Sequence, residues 1–332
     1  MVTLGNYSLI VKKIRHINRG YVMIDSKNKK KPAVPERYRL FLMLFPFLLL
    51  ILVFSYFPLF GWRYAFYSFK PGFTLKDSDF MGLYWFKSIF SNSFQIKEVG
   101  RVMLNTLGIS ALGLLLNCIT PFFAILLNEI GHKHFRKVVQ VLTTLPNFIS
   151  WVLVYAVAFA MFNVDNGFVN QVLMKIGALD KPVNYLADSS HVWLKMTLWN
   201  AWKTLGWGSI LYLATIAGID RELYEAARVD GAGRFKQAIH ITLPGIASTF
   251  LVLLVMAIAN MLNNGMDQYY VFQNAMNKSQ IEVLDLYVYN ISLGGGNFSF
   301  GTAVSMMKSI ISVTLLLIAN GVAKLIRGSS IF

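Results

Sequence analysis

A polar segment, residues 224–244, separates two long apolar stretches of this chain and carries side chains suited to pairing with another protein. Its carboxylates, Glu225 and Asp230, lie among arginines, and small side chains nearby allow a second surface to approach closely. The arginines are Arg221, Arg228 and Arg234, and the small residues are Ala226, Ala227 and Ala232. Charges arranged in this way give an interface specificity more than affinity. The alternative is an ordinary solvated loop between two apolar helices.

Local signals in this segment predict a helix, a glycine turn and a second helix. Asp220 can cap the first helix by accepting a backbone N–H bond, and residues 221–229 (RELYEAARV) favour helix formation. Gly231 lies where a left-handed residue would end that helix, and a second helical segment follows at 234–241. Pro244 suits the first turn of the next apolar stretch. We expect both short helices to lie outside a bilayer.

Four side chains inside another apolar stretch have the chemistry to bind a sugar: Trp199, Asn200, Trp202 and Lys203. Their spacings of three and four residues place them on one side of a helix. Aromatic faces beside hydrogen-bonding groups match the C–H faces and hydroxyl edges of a saccharide. The alternatives are interfacial aromatic residues and polar contacts between helices, with Lys203 bracing its helix through a pair.

Three asparagines near the end of the following apolar stretch, Asn260, Asn263 and Asn264, form a second polar group. Asn260 and Asn264 align at i, i+4, one helical turn apart, and Asn263 lies beside them. Their amides then line a path for a hydroxylated cargo or bond across to a neighbouring helix. Lys308, in the last apolar stretch, either extends toward the membrane surface or meets an acidic group.

The composition is that of a membrane protein with several spans. Of the 332 residues, 55% are hydrophobic and 14% are charged, whereas a soluble chain has about 25% charged residues. Six stretches reach the roughly 20 residues that a spanning helix needs. They are 40–60, 103–128, 138–162, 192–219, 245–265 and 302–326. Pro146 lies inside the third, and polar residues, Lys195 among them, interrupt the fourth.

The distribution of Lys and Arg predicts the orientation of these spans. The net charge is +15, with nineteen basic residues on the side of the N-terminal arm and nine on the other. The excess of basic residues marks the cytoplasmic side, so both termini and the 224–244 segment are expected in the cytoplasm. Residues 1–39 form a basic arm that either adheres to anionic lipid or binds a partner. The positive charge therefore indicates no nucleic-acid partner.

The sequence offers no chemistry for an enzyme. It has no GxxxxGK[ST] phosphate loop, and none of its five histidines stands in a metal-ligand pattern within a span. No catalytic triad or pair of carboxylates is expected at membrane depth. The single cysteine, Cys118, is expected to pack as a small apolar residue. We therefore expect no cofactor and no metal in this chain.

Three short motifs follow one another in the polar segment: Glu225-Ala226-Ala227, Asp230-Gly231-Ala232 and Ile241-x-Leu243-Pro244. Their order and spacing resemble the EAA signature of permease subunits of bacterial ABC importers. In that family the signature forms coupling helices that fit into a cleft of a separate ATPase. The resemblance implies that Glu225 makes a polar contact to the ATPase, while Ala226 and Ala227 allow close approach. It also implies that Gly231 permits the bend.

Further motifs are similar to the sugar-type, maltose-transporter-like permeases: Trp202-Lys203-x-x-Gly206-Trp207 with Tyr212-Leu213-Ala214, then Asn105-Thr106 and the closing Ser330-Ile331-Phe332. The last two resemble the branch that carries complex oligosaccharides or polysaccharide fragments. The resemblance covers most of residues 40–332, and the arm departs from it. It implies an all-α polytopic protein of the type I importer fold in the bacterial cytoplasmic membrane.

The same resemblance implies partners. They are a second homologous permease, two ATPase subunits that bind ATP and Mg, an extracellular solute-binding lipoprotein and a carbohydrate cargo. The alternatives are an importer permease for a non-sugar solute and a secondary transporter driven by an ion gradient. The latter would need Asp or Glu within the membrane, and the six predicted spans contain neither.

Overall fold

The computed structural model describes residues 36–327, and side chains from 38 to 325. Most of the basic arm and Ser330–Phe332 lie outside the described residues. Within them the regular elements are helical, apart from an isolated bridge between Tyr67 and Phe80. The helices are α1 (Glu36–Ile51), α2 (Tyr84–Ser91), α3 (Ser93–Asn117), α4 (Ile119–Glu129), α5 (Lys133–Thr144), α6 (Trp151–Phe162), α7 (Phe168–Lys175), α8 (Val192–Ala217), α9 (Arg221–Val229), α10 (Arg234–Gln237), α11 (Leu243–Ala259), α12 (Asp267–Phe272), α13 (Lys278–Ile281), α14 (Leu284–Tyr289) and α15 (Phe298–Arg327).

Four helical runs among the described residues are long and apolar enough to cross a membrane. They are Tyr38–Phe66, Ser93–Glu129, Arg234–Ala259 and Phe298–Leu325, and they correspond to the first, second, fifth and sixth predicted spans. The first extends α1 through a π-helical and a 3-10 segment. The chain divides into two compact units after Phe60, and α2 to α15 belong to the second unit.

The third predicted span is wrong as one continuous helix. Its two halves, Lys133–Phe148 and Trp151–Phe162, meet at an angle of 108°. Pro146 lies in a 3-10 turn at the end of the first half, and Ile149 and Ser150 are extended. The Ser150 hydroxyl then accepts a bond from Leu153 N and caps α6. A proline and a new helix cap together end one helix and start another.

The fourth predicted span is α8, a continuous helix of 26 residues. At about 1.5 Å per residue it is long enough to cross a bilayer, but it is less apolar than the four runs above and is not one of them. Lys195 is held in its first turns by the carbonyls of Tyr185 and Asp188 and by the Asp188 carboxylate. Hydrogen bonds from Ser190, with that of Lys195, hold the pKa of Asp188 well below its usual range.

Lys203 satisfies the backbone at the break between α5 and α6. Its Nζ donates to the carbonyls of Pro146, Asn147 and Ile149 at 3.0, 2.8 and 2.5 Å, and only 8% of the residue is exposed. It also lies 5.5 Å from the ring centroid of Trp151. Carbonyls freed by a broken helix in an apolar setting need such a donor. The arrangement agrees with the structural alternative for Lys203.

A close crossing brings α8 against the end of α5. A Cβ on Gly206 would lie 2.2 Å from the backbone carbonyl of Thr143, so this position has room only for glycine. Small residues allow helix backbones to approach in this way. The crossing and the Lys203 contacts together fix the broken helix to α8.

The fifth span ends earlier than predicted. α11 stops at Ala259, and Asn260 is its C-cap. Asn260 closes a turn by accepting Asn263 N, while its side chain donates back to Met256 O. Asn260 and Asn264 are therefore not one helical turn apart, and that part of the prediction is wrong.

The connection between the last two spans is packed structure. Ile281, Val283 and Leu286 are fully buried against side chains of α6 and α8. Asn105 and Thr106 of α3 hold it from the other side: the Asn105 amide donates to the carbonyls of Ser279 and Glu282, and the Thr106 hydroxyl accepts Leu284 N. A physical role for the Asn105-Thr106 pair thus lies in anchoring this connection.

We expect Lys203→Met to destabilise the protein by about 2–5 kcal/mol, because the carbonyls of Asn147 and Ile149 lose their donor and that of Pro146 keeps only Ile149 N. The thermal midpoint of the purified protein in detergent measures the loss. Lys195→Met is the matched control, since it removes the same group from the same helix at a partly exposed site, where a pair contributes about 1 kcal/mol or less. Equal losses in the two variants would contradict the role of Lys203.

Candidate functional site

The helix that carries the Glu-Ala-Ala motif, α9, is largely exposed. The Asp220 carboxylate accepts Glu222 N at 3.0 Å, which confirms the predicted cap. None of the α9 residues is buried, and Val229 is 89% exposed. Glu225 and Ala226 also face outward. Exposed apolar, charged and small side chains therefore lie together on α9.

The turn after α9 has the geometry that the sequence predicts. Gly231 has φ +76°, a left-handed conformation that costs glycine little. Ala232 N donates to Ala227 O at 2.8 Å, and the Gln237 amide donates to Ala232 O at 2.7 Å. The Asp230-Gly231-Ala232 turn is therefore fixed by hydrogen bonds at both ends.

α9 is joined to the fifth span without a flexible link. The helical run that starts at Arg234 continues through a π-helical segment, Ala238–Thr242, into Leu243 and Pro244 of α11. The second short helix is thus the first turn of the span, and its prediction as a separate helix is wrong. The Tyr224 hydroxyl bonds the buried Thr242 hydroxyl at 2.9 Å and ties α9 to the same point. The Asp230-Gly231-Ala232 turn and this hydroxyl bond therefore connect α9 to the start of α11.

A polar cavity of about 360 Å³ lies inside the helix bundle. Amide side chains dominate its lining, which includes the predicted Asn200, Asn260, Asn263 and Asn264. Sequence reasoning missed other polar members of the lining: Ser110, Asn117, Thr197, Gln268 and Tyr269. No Asp, Glu, Lys or Arg lines this cavity, and Trp151 supplies an aromatic face. The lining offers hydrogen bonds of both senses and little charge.

We call residues 260–265, which follow α11, the asparagine turn. Side-chain hydrogen bonds hold this turn in place. The Ser110 hydroxyl donates to Met261 O at 2.5 Å and lies 3.0 Å from the Asn264 amide nitrogen. The Gln268 amide donates to Met196 O at 2.7 Å. The sequence signals for Ser110 and Gln268 were weak: Ser110 is a polar residue within an apolar stretch, and Gln268 follows an Asn-rich segment.

The predicted group on α8 separates in the structure. Asn200 lines the cavity, whereas Lys203 points to the α5–α6 break. Trp199 packs with Phe162 and Phe272 in an aromatic cluster, and Trp202 lies edge-on against it at 5.8 Å. Neither Trp199 nor Trp202 lines the cavity, so the prediction of one convergent group is wrong. The spacing that suggested a sugar contact instead places Trp199 in an aromatic cluster and Lys203 at the break between α5 and α6.

Lys308 of α15 meets an acidic group, as one of the two predicted alternatives states. It forms an ion pair with Asp285 of α14, and Asp285 Oδ2 also accepts Gly265 N at 2.8 Å. This carboxylate therefore connects the asparagine turn to the sixth span. Asp285 lies between the fifth and sixth predicted spans, and Lys308 inside a span was the sequence signal that favoured looking for an acidic partner.

Comparisons with known proteins agree with this architecture. The family described as binding-protein-dependent transport system inner membrane component matches residues 109–328. The chain is 37% identical to the protein LplB of Bacillus subtilis (strain 168), over 86% of this chain and 88% of LplB. It is 36% identical to the polygalacturonan/rhamnogalacturonan transport system permease protein YteP of the same organism, over 91% and 94%.

Two solved structures are similar. One is a bacterial ABC transporter involved in the import of the acidic polysaccharide alginate, with a TM-score of 0.76 and 31% identity, covering 87% of this chain and 96% of that one. The other is a bacterial alginate ABC transporter in complex with an alginate pentasaccharide-bound periplasmic protein, with a TM-score of 0.77, 31% identity and coverages of 89% and 96%. By this match and its helical architecture, the chain belongs to the family of inner-membrane permease components of binding-protein-dependent transport systems.

Proposed function

We propose that this chain is a permease subunit of an ATP-driven importer that moves a carbohydrate across the bacterial cytoplasmic membrane. The observation that carries the proposal is the position of α9. This helix has no buried residue, and the hydroxyl bond between Tyr224 and Thr242 joins it to the start of the fifth span. The names of the relatives YteP and the alginate transporters support a saccharide as cargo. The cavity of amide side chains supports the same class of cargo.

In the proposed mechanism α9 and its turn couple the bundle to a separate ATPase. The coupling residues are Glu225, Ala226, Ala227, Asp230, Gly231, Ala232, Leu243 and Pro244. Glu225 would pair with a cation of the ATPase, and the small side chains would let α9 approach closely. ATP binding closes two ATPase subunits, and the continuous run from Arg234 to Ala259 carries that motion to the asparagine turn at the end of α11.

The cargo path would pass the cavity. Its volume of about 360 Å³ is at the small end of the range of about 300–1,000 Å³ typical of ligand sites. A second, homologous permease would complete the path, and an extracellular solute-binding lipoprotein would deliver the cargo. Asn200, Asn260, Asn263 and Asn264 would contact its hydroxyl groups; Trp199, Trp202 and Lys203 would act only indirectly, by shaping the bundle.

The proposed topology has six spans, with α8 and the bent α5–α6 pair each crossing once. Both termini and the coupling loop, 220–244, then lie in the cytoplasm, in line with the distribution of basic residues. Residues 1–39 form the basic arm, and residues 40–332 form the permease domain. An ion-coupled transporter would need a carboxylate free to exchange an ion, and Asp285 is already engaged by Lys308 and Gly265 N.

We expect Glu225→Lys and Gly231→Pro each to reduce cargo-stimulated ATP hydrolysis by at least about tenfold in the reconstituted complex. The first reverses a charge at the interface, and the second cannot adopt the positive φ of the turn. Asp180→Lys, an exposed carboxylate far along the chain from α9, is the charge-matched control. Stimulation unchanged in both coupling variants would rule out the docking role.

We expect Asn200→Leu to raise the KM for transport in sealed vesicles about fivefold, since one amide lost from the cavity removes about 1 kcal/mol of cargo binding. Leucine keeps a similar volume, and the Asn200 side chain takes part in no hydrogen bond of the described structure that folding would lose. Asn166→Leu, at an exposed site away from the cavity, is the control. An unchanged KM in the Asn200 variant would exclude this cavity from the cargo path.

A further inference from the structure

A second polar cavity, of about 990 Å³, lies beside α9 and is rich in arginine. We call it the arginine groove, after the four guanidinium side chains in its lining: Arg136, Arg221, Arg228 and Arg234. They come from three helices, with Arg136 on α5, Arg221 and Arg228 on α9, and Arg234 on α10. Glu129 and Glu225 are the only acidic residues in the lining. The groove therefore carries a net positive charge.

The positive charge of the arginine groove is not neutralised within the chain. In the part of the chain with described side chains, all ion pairs involve Arg101, Lys195 or Lys308, and none involves an arginine of the groove. Arg234 donates only a long bond, 3.4 Å, to the Glu129 carbonyl. Like charges held together without partners repel one another, and an anion entering the groove would relieve that repulsion.

We propose that the arginine groove receives an acidic segment of the ATPase subunit, so that the docking surface has two parts: the outer face of α9 and this groove. The proposal rests on the proposed function and names the chemistry of the partner's surface. A guanidinium presents paired N–H donors that match a carboxylate in two-pronged contacts. The ATPase residues opposite the groove should then be Asp or Glu.

The surroundings of the groove favour a protein over a lipid phosphate. Glu225 belongs both to the groove lining and to the exposed part of α9, so one partner can cover the two together. Val229 and Phe235 stand beside groove residues in the chain, and they are 89% and 78% exposed. A lipid headgroup would neutralise the arginines but leave these apolar side chains in water, whereas a protein surface would bury them.

Arg136 connects the arginine groove to the broken helix, because it lies on α5 and lines the groove. It lies on α5, whose far end is held to α8 at Gly206 and whose break is held by Lys203. An ATPase bound to the groove would therefore grip the broken helix as well as α9 and α11. Both walls of the bundle cavity, Trp151 on one side and the asparagine turn on the other, would respond to the same partner.

The test uses the complete complex of both permeases and the ATPase subunits. We expect the double variant Arg136→Gln/Arg228→Gln to weaken ATPase binding to the permease pair about tenfold at low salt, because two charge pairs are lost. Its affinity should also depend less on NaCl concentration than that of the wild type. Arg136→Lys/Arg228→Lys should restore part of the affinity. The control variant Lys133→Gln/Lys137→Gln removes two charges from α5 at positions outside the groove lining. It should leave the affinity for the ATPase unchanged.

Nanodiscs of two compositions distinguish the protein from the lipid. In phosphatidylcholine alone the effect of the double variant should persist. An effect seen only with phosphatidylglycerol would assign the groove to anionic lipid and overturn the proposal, as would a double variant that binds the ATPase like the wild type. If Glu225→Lys and Gly231→Pro still uncouple the complex in that case, the proposed function stands and only the acidic partner is refuted.

Discussion

The architecture depends on one buried cation. A helix that breaks inside an apolar bundle leaves carbonyls without donors, and such backbone persists only where something inside the protein satisfies it. Lys203 donates hydrogen bonds to three carbonyls at the break, those of Pro146, Asn147 and Ile149, and approaches the ring of Trp151. The 108° bend that it stabilises turns α6 away from α5 and gives the bundle cavity its aromatic wall. Lys203, which the sequence suggested as a possible cargo contact, therefore has a structural role at the helix break.

The two ends of the transport machinery are connected through one helix. α11 begins next to α9 and ends at the asparagine turn, so the proposed coupling surface and the cavity lie at its opposite ends. Asp285 extends the connection, because it holds Gly265 of that turn and pairs with Lys308 of α15. In the proposed mechanism, force applied at α9 would reach the asparagine turn through the helical run Arg234–Ala259, and would reach α15 through the ion pair of Asp285 with Lys308.

What could be predicted from the sequence was mostly local. The cap at Asp220, the extent of α9 and the left-handed Gly231 follow from preferences of neighbouring residues, and the structure confirms them. The break after Pro146 could not be predicted in the same way. Proline alone is compatible with a kinked span, and the donor that stabilises a full break lies 57 residues away. The end of α11 at Ala259 had no proline or glycine to announce it before Gly265.

The candidate cavity shows the same division. Asn200 and the three asparagines were identified because amides are rare in apolar stretches, but Ser110, Thr197 and Gln268 join them only through tertiary packing. The reverse error occurred at Trp199 and Lys203, where helical spacing suggested a shared face and packing sent the two side chains to different neighbours. Periodicity identifies which residues share a helix face; it does not identify what that face meets.

The hydroxyl bond between Tyr224 and Thr242 separates two properties of the coupling region. Both partners are hydroxyl groups, and Thr242 is fully buried, so ionic strength has little effect on this bond. The guanidinium-lined surface beside it is exposed to the full effect of salt. If the ATPase docks there as proposed, a rise in salt would detach it while leaving the contact between α9 and α11 intact, and the permease could couple again as soon as the ATPase rebinds.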